Sequence, residues 1–410
     1  MSNTARYERG QVLILVVLGM VALIGITALV VDGGNVFLDH RKAQNAADSA
    51  ALASALARVR GENFVQRANE VAALNGYNND GASSNVQVYS PPVDGEHVGD
   101  IEYIQVIITS RVDTFFGGVI GQDFIINRVS AVTRTKTPEL AKLVYGYAVV
   151  SLAPTSDCDT HLSFYLHEEA TLDITGGGVF INSNNPDCAL VQEASGSIRI
   201  RDYNPITIVG GARIQKPQQL TPYPPSTGRT PIPYPPPFFL PKFGCNKQAE
   251  ISETGTSMSA GSWDEDFPPP GVVNLEKGVY CVENFIIGDG IHLSGNNVTF
   301  LVDGELHWSG SATIELSSPK KGDLAGLLVY LPIDNHSKVA LNANGYSSIK
   351  GTILAPGSEI RINGNASKVG FHSQIIGYRI DAKGQSNVII KYVEDQNYHA
   401  ITMPEVDLSQ

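Results

Sequence analysis

The chain has 410 residues, with 29 Lys and Arg against 41 Asp and Glu and a formal net charge of −12. That length supports a large core and two modules beyond any anchor, and the acidic balance without a basic block excludes a nucleic-acid partner. A charged fraction of 17%, with 40 Gly and 23 Pro, points to a loop-rich β protein and away from a helical one.

The first element in chain order is an uncharged apolar run from Gln11 to Val31, preceded by Arg6 and Arg9. At about 1.5 Å per residue it spans about 30 Å, the hydrocarbon thickness of a bilayer. The run is too long for the apolar region of a cleaved secretory signal, and Val30-Val31-Asp32 offers no small-x-small cleavage site. The reading is a single membrane-spanning helix over 11–31 behind a cytoplasmic leader, 1–10. The basic residues closest to it lie on the N-terminal side, which places the C-terminal part outside the cytoplasm. Type IV prepilins share a short basic leader, a Gly and an apolar helix, so Gly10–Gln11 is an alternative processing point. Those pilins carry Glu at the fifth mature position, where this chain has Leu15. Leu15 favours a retained anchor.

Asp32 marks the polar end of the span, and Gly33-Gly34 are expected to relax or bend the helix at the membrane boundary. From Asn35 to Arg60 small residues recur at helical spacing, among them Ala43, Ala47, Ala50 and Ala51. Such a face either packs on later strands of the same chain or associates laterally with a partner helix.

The order from Arg9 to Ala57 resembles the N-terminal module of the TadE/TadG-like Flp pilus-assembly proteins of tight-adherence systems. The matching elements are Arg9-Gly10-Gln11, the apolar helix, Val31-Asp32-Gly33-Gly34, Phe37, Arg41-Lys42 and Gln44-Asn45-Ala46-Ala47-Asp48-Ser49-Ala50-Ala51-Leu52. The resemblance implies a bacterial envelope protein connected with surface fibres or adhesion, and no catalytic residue. Its implied partners are the lipid bilayer, other pilus-assembly proteins and copies of itself, with surface carbohydrate as a further candidate.

A second helix is predicted over Glu62–Tyr77, ended by Asn78-Asn79-Asp80-Gly81, followed by strands at Asn85–Tyr89, Tyr103–Arg111 and Phe124–Thr135. One or two helical turns are expected near 113–120. This gives a small α+β module over 32–137, bounded by Pro138. Beyond it, over 138–410, short β-branched runs recur every eight to ten residues with Gly and Asn corners such as Gly176-Gly177-Gly178, Asn342-Ala343-Asn344-Gly345 and Asn363-Gly364-Asn365. That pattern predicts a right-handed parallel β-helix, with a β-sandwich or barrel as the alternative. A Pro-rich insertion at 216–242 favours polyproline II and is expected to lie over the strand-rich surface; a ligand for an aromatic groove of a partner is the other reading.

Cys158, Cys188, Cys245 and Cys281 form no CxxC pair and lie beyond the apolar run, so they read as disulfide candidates. Three connectivities are open, and the expected one joins neighbours in sequence. Because β-helices often carry polysaccharide-cleaving enzymes, two polar groups were weighed: Asp173, Asp187, Arg199, Arg201 and Asp202, and separately Asp303, Glu305, His307 and Glu315. Neither has an accompanying nucleophile or metal-ligand spacing, and no phosphate loop, GxSxG or HExxH occurs. No catalytic residue, metal or cofactor is expected. A structural protein is the first reading; a surface-anchored polysaccharide-active enzyme and a pilin-like filament subunit are the alternatives.

Overall fold

A computed structural model describes residues 8–136, 138–342, 346–363, 369–385 and 387–409. The leader residues 1–7 and the predicted corner positions 343–345 and 364–365 lie outside the described residues. The chain divides into two compact units, one of residues 1–138 with 403–410 and one of residues 139–402.

The first unit opens with a helix of 52 residues, α1 (Glu8–Val59), which passes through Gly33-Gly34 without interruption. No break interrupts the helix at these glycines. A Cβ at either would meet nothing within 4 Å, so their small size serves no close approach. Two glycines weaken a helix by about 1 kcal/mol each, and the favourable residues on both sides carry the helix through. After Gly61 comes α2 (Phe64–Leu74), capped by Asn63, whose side chain accepts from the Gln66 amide. Three antiparallel strands follow: β1 (Ser84–Tyr89), β2 (Tyr103–Asp113) and β3 (Phe124–Lys136). The C-terminal segment Glu405–Ser409 pairs with the free edge of β3, completing a four-stranded sheet. This return strand was not anticipated, since the sequence gives it no turn linking it to its neighbour. One face of the sheet holds Val86, Val106, Ile108, Val129 and Ala131, on which the alanines of α1 and α2 are buried.

In the second unit the strands form a 10-stranded and a 15-stranded sheet, and the pairings within both are parallel. A hairpin-built sandwich would pair antiparallel. Only the unit's two ends, Leu140–Lys142 and His399–Ile401, form an antiparallel pair of named strands among the described residues. In the 15-stranded sheet Val149–Ser151, Val179–Ile181 and Ile206–Ile208 stack in turn outward from Ile375–Lys383. On the other side of Ile375–Lys383 lie Thr352–Asn363, Leu327–Tyr330, Val298–Val302, Gly278–Val282 and Gly261–Trp263. Spatial order thus departs from chain order: the unit's first strand rests on one of its last. Thr352–Asn363 and Ile375–Lys383 are longer than the short runs expected of this unit, and the turn between their halves is a register shift between Ala355 and Glu359.

Strands of this stack are apolar on both faces for a physical reason. Val149, Val298, Phe300, Ile353 and Ile375 point into the main core. Val150, Phe180, Leu327, Leu354 and Ile376 point outward into a second apolar layer. That layer is closed by the Pro-rich segment, which joins the two ends of the stack by running back along it. The Ile232 amide donates to Asn182 Oδ1 at 2.7 Å, and Asn182 Nδ2 donates to the Ile232 carbonyl at 2.8 Å. Farther on, Tyr234 packs on Tyr378, the Phe239 amide donates to the Ile401 carbonyl, and Phe243 packs on Tyr330. Disulfides join Cys158 to Cys188 and Cys245 to Cys281, and the second fastens the far end of the Pro-rich segment to strand Gly278–Val282.

Candidate functional site

One face of α1 sets the geometry of the first unit. Asp32, Asp39, Ala43, Ala46 and Ala50 follow each other at spacings of three, four and seven, so they lie in one stripe. Asp39 is the polar anchor of that stripe: its carboxylate accepts from Tyr77 Oη at 3.1 Å, Ser110 Oγ at 2.5 Å and Asn127 Nδ2 at 2.8 Å. Burial, reinforced by the Asp39 charge, raises the Tyr77 hydroxyl well above its ordinary pKa. Below Asp39, Ala43, Ala46, Ala47, Ala50 and Ala51 are fully buried against the unit's own strands and α2. The face offered by the sequence for lateral helix association is therefore occupied within the chain.

Above the stripe the helix emerges from the fold. Leu13 to Val30 present large apolar side chains that are more than half exposed, and no charge falls within this stretch. Gly10 lies within α1. Asp32 does not simply mark the polar end of the run, because both of its oxygens are engaged. The amides of Phe115, Phe116 and Gly117 donate to it at 2.8, 3.0 and 2.9 Å. These residues form the tip of the β2–β3 hairpin, whose short 3-10 turn Gly117–Ile120 is the helical turn expected near 113–120. The tip leaves Phe115, Phe116, Val119 and Ile126 exposed, at 75%, 41%, 88% and 54%. Between this tip and the helix runs a groove of about 630 Å³ lined by Val21, Ile24, Ala28, Leu29, Phe116 and Ile125, among others. Sequence reading found Asp32 but not its partners; the signal available was the seven-residue spacing to Asp39.

In the second unit the polar residues weighed for catalysis do not assemble. Asp173 is buried and takes a hydrogen bond from Arg201 Nε at 2.6 Å, an interstrand ion pair beside Arg199. Asp202 accepts from the Gly176 amide, and Asp187 is exposed on a loop. Asp303, Glu305 and His307 are exposed along one stack, whereas Glu315 belongs to the other sheet. A denser polar cluster, unseen in the sequence, lies where the two blocks of strands meet. Asp381 accepts from His167 Nε2 at 2.9 Å and Arg361 Nε at 3.0 Å, while Tyr165 stacks on His167 and donates to Glu193 at 2.9 Å. Burial, followed by the hydrogen bond to Glu193, pushes the Tyr165 hydroxyl up to about 12. Its members come from distant strands, so no spacing could have revealed it. Both Asp381 oxygens are taken by cations or donors, the pattern of an ion pair that locks strands together. Among the described residues no group of three or more His, Cys, Asp or Glu is placed to hold a metal ion.

A long exposed apolar helix continuous with an alanine-faced helix on a small sheet, ahead of a disulfide-bonded parallel-strand unit, defines a protein with one candidate N-terminal membrane anchor. Residues 10–58 match the family model described as "Putative Flp pilus-assembly TadE/G-like", so this segment of the chain is similar to that family. No curated protein and no solved structure shows significant similarity to the chain.

Proposed function

We propose that this chain is a non-catalytic, membrane-tethered structural protein of a tight-adherence (Flp/Tad) pilus system, acting in pilus assembly or adhesion. The observation that carries the reading is the TadE/G-like match over 10–58, which coincides with the apolar span and its buried alanine stripe. In this reading α1 crosses the inner membrane once, and both units stand outside the cytoplasm, where the two disulfides persist. The strand-rich unit is read as a right-handed parallel β-helix serving as a stalk or contact surface. That view is supported by the parallel in-register stacks and by interior aromatic ladders such as Phe285, Phe300 and Trp308. The TadE/G-like module links the chain to other pilus-assembly proteins as partners.

Surface fibres purified from cells with and without the chain test the reading, with mass spectrometry of the chain's N-terminus. Fibres that need the chain for assembly but do not contain it, with residues before Gln11 retained on the membrane-bound form, are the expected result. Recovery from the fibre with Gln11 as first residue would favour the filament-subunit alternative. Normal fibres and normal surface attachment in its absence would overturn the proposal.

A further inference from the structure

We infer that the tip of the β2–β3 hairpin is a second membrane contact, entering the outer half of the bilayer beside α1 and closing its groove over lipid acyl chains. The inference rests on the reading of α1 as a membrane anchor.

Three observations converge on it. The first is apolar continuity: Phe116, Val119 and Ile125 line a groove with the exposed Ile24 and Leu29 of the helix, its surface almost entirely apolar, and Phe115 adds a second exposed ring at the tip. An apolar surface of this kind in water would be costly, whereas it is matched by lipid tails. The second is depth. The groove is lined as far as Val21, about 16 Å along the helix from Asp32, which is about half of a hydrocarbon core.

The third is the treatment of the backbone. Irregular backbone is tolerated at membrane depth only where its polar groups are satisfied by protein. Here the amides of Phe115, Phe116 and Gly117 are capped by Asp32. The Thr114 amide bonds Asp123 O at 3.0 Å, Val119 bonds Phe116 O at 3.0 Å, and Gln122 bonds Gly117 O at 2.9 Å. Side chains also bond the carbonyls of Gln122 and Phe124, through Thr114 Oγ1 and Gln122 Nε2. Arg111 lies on the adjoining strand over the Phe124 ring, its centre 4.0 Å from the ring centroid, and its Nε donates to Asp113 at 3.2 Å, so its charge is balanced beside the tip.

Single cysteines introduced into the full chain test this, because the four native cysteines are paired. Nitroxide labels at Leu18→Cys, Val119→Cys and Val98→Cys are compared in vesicles of phosphatidylethanolamine and phosphatidylglycerol, by collision with oxygen and with a water-soluble nickel complex. Val98 sits before β2, at the end of that strand opposite the tip, about 33 Å away along the strand. The expected result is oxygen-dominated accessibility at Leu18 and Val119 and nickel-dominated accessibility at Val98. Nickel-dominated accessibility at Val119 with Leu18 embedded would overturn the second contact and leave the anchor standing. Nickel-dominated accessibility at both would overturn the anchor and the contact together. An embedded label at Val98 would overturn the assignment of the contact to the tip.

Discussion

Asp39 shows how one half-buried carboxylate can fix a helix on a sheet. It gathers a phenol, a hydroxyl and an amide donor from three separate elements, α2's flank, β2 and β3. Hydrogen bonds to a charged group contribute about 1.5–3 kcal/mol each, and a donor left buried and unpaired costs a comparable amount. Asp39→Asn is therefore expected to destabilise the first unit by about 2–3 kcal/mol, seen as a lower midpoint in denaturant with loss of hydrogen-exchange protection in β2. A titrating counterpart exists in the second unit. His372 lies between Lys350 and Lys391 on adjoining strands, and burial, followed by the two lysine charges, lowers its pKa. The native state thus favours neutral His372 while the unfolded chain protonates near about pH 6.5. This contribution to stability is complete above that pH and is lost as pH falls below it. Melting temperatures measured from about pH 7.5 to about pH 5 should fall less steeply for His372→Gln than for the parent.

At the scale of elements, the sequence was most legible where periodicity decides the answer. The apolar run, α2, β1, β2 and β3 were all readable to within a few residues, since burial on one face leaves a period in the chain. At Gly33-Gly34 the helix is unbroken because local propensity is outweighed by the helical segments on either side. The partners of Asp32 were invisible for another reason: they are backbone amides of a hairpin tip, and no residue type announces a free N–H. In the strand-rich unit the alternation shows which side chains point inward, but parallel stacking by two-residue periods does not say which strand lies next to which. The interior of that unit is organised by an aromatic group in which Phe300 lies 4.5 Å from Phe285, 5.4 Å from Tyr280 and 5.7 Å from Phe267, measured between ring centroids. Phe300 is fully buried, so Phe300→Ala should cost about 3–5 kcal/mol. Calorimetry of the variant should show the lower transition in the strand-rich unit, and an unchanged midpoint would remove this cluster from the core's central role.

For the whole molecule, the stacking order matters more than the number of strands. The ends of the second unit, Leu140–Lys142 and His399–Ile401, are hydrogen-bonded neighbours, and the Pro-rich segment ties the two far ends of the stack. A version of residues 139–402 with its ends joined and new termini opened at the exposed Gly228–Thr230 stretch should keep a cooperative melt and the same disulfides. Loss of cooperative unfolding in that permutant would mean that chain continuity through the Pro-rich segment is itself required. Neither the closed ring of connections nor the double use of the outward apolar layer could be read from the residues, because both depend on contacts between segments far apart in the chain.

Strand Val149–Ser151 pairs on one edge with the nearby Val179–Ile181, but its other edge finds a neighbour only in Ile375–Lys383. A nascent chain therefore makes its first strands early and leaves them with a bare edge until its last strands have been synthesised. Through that interval the unpaired N–H and C=O groups of a short, valine-rich strand stand ready to pair with any other chain. The seam between the earliest and latest strands makes folding of this unit a closing event rather than a zippering one, so completion of the chain, and not its beginning, sets when the unit becomes safe from self-association.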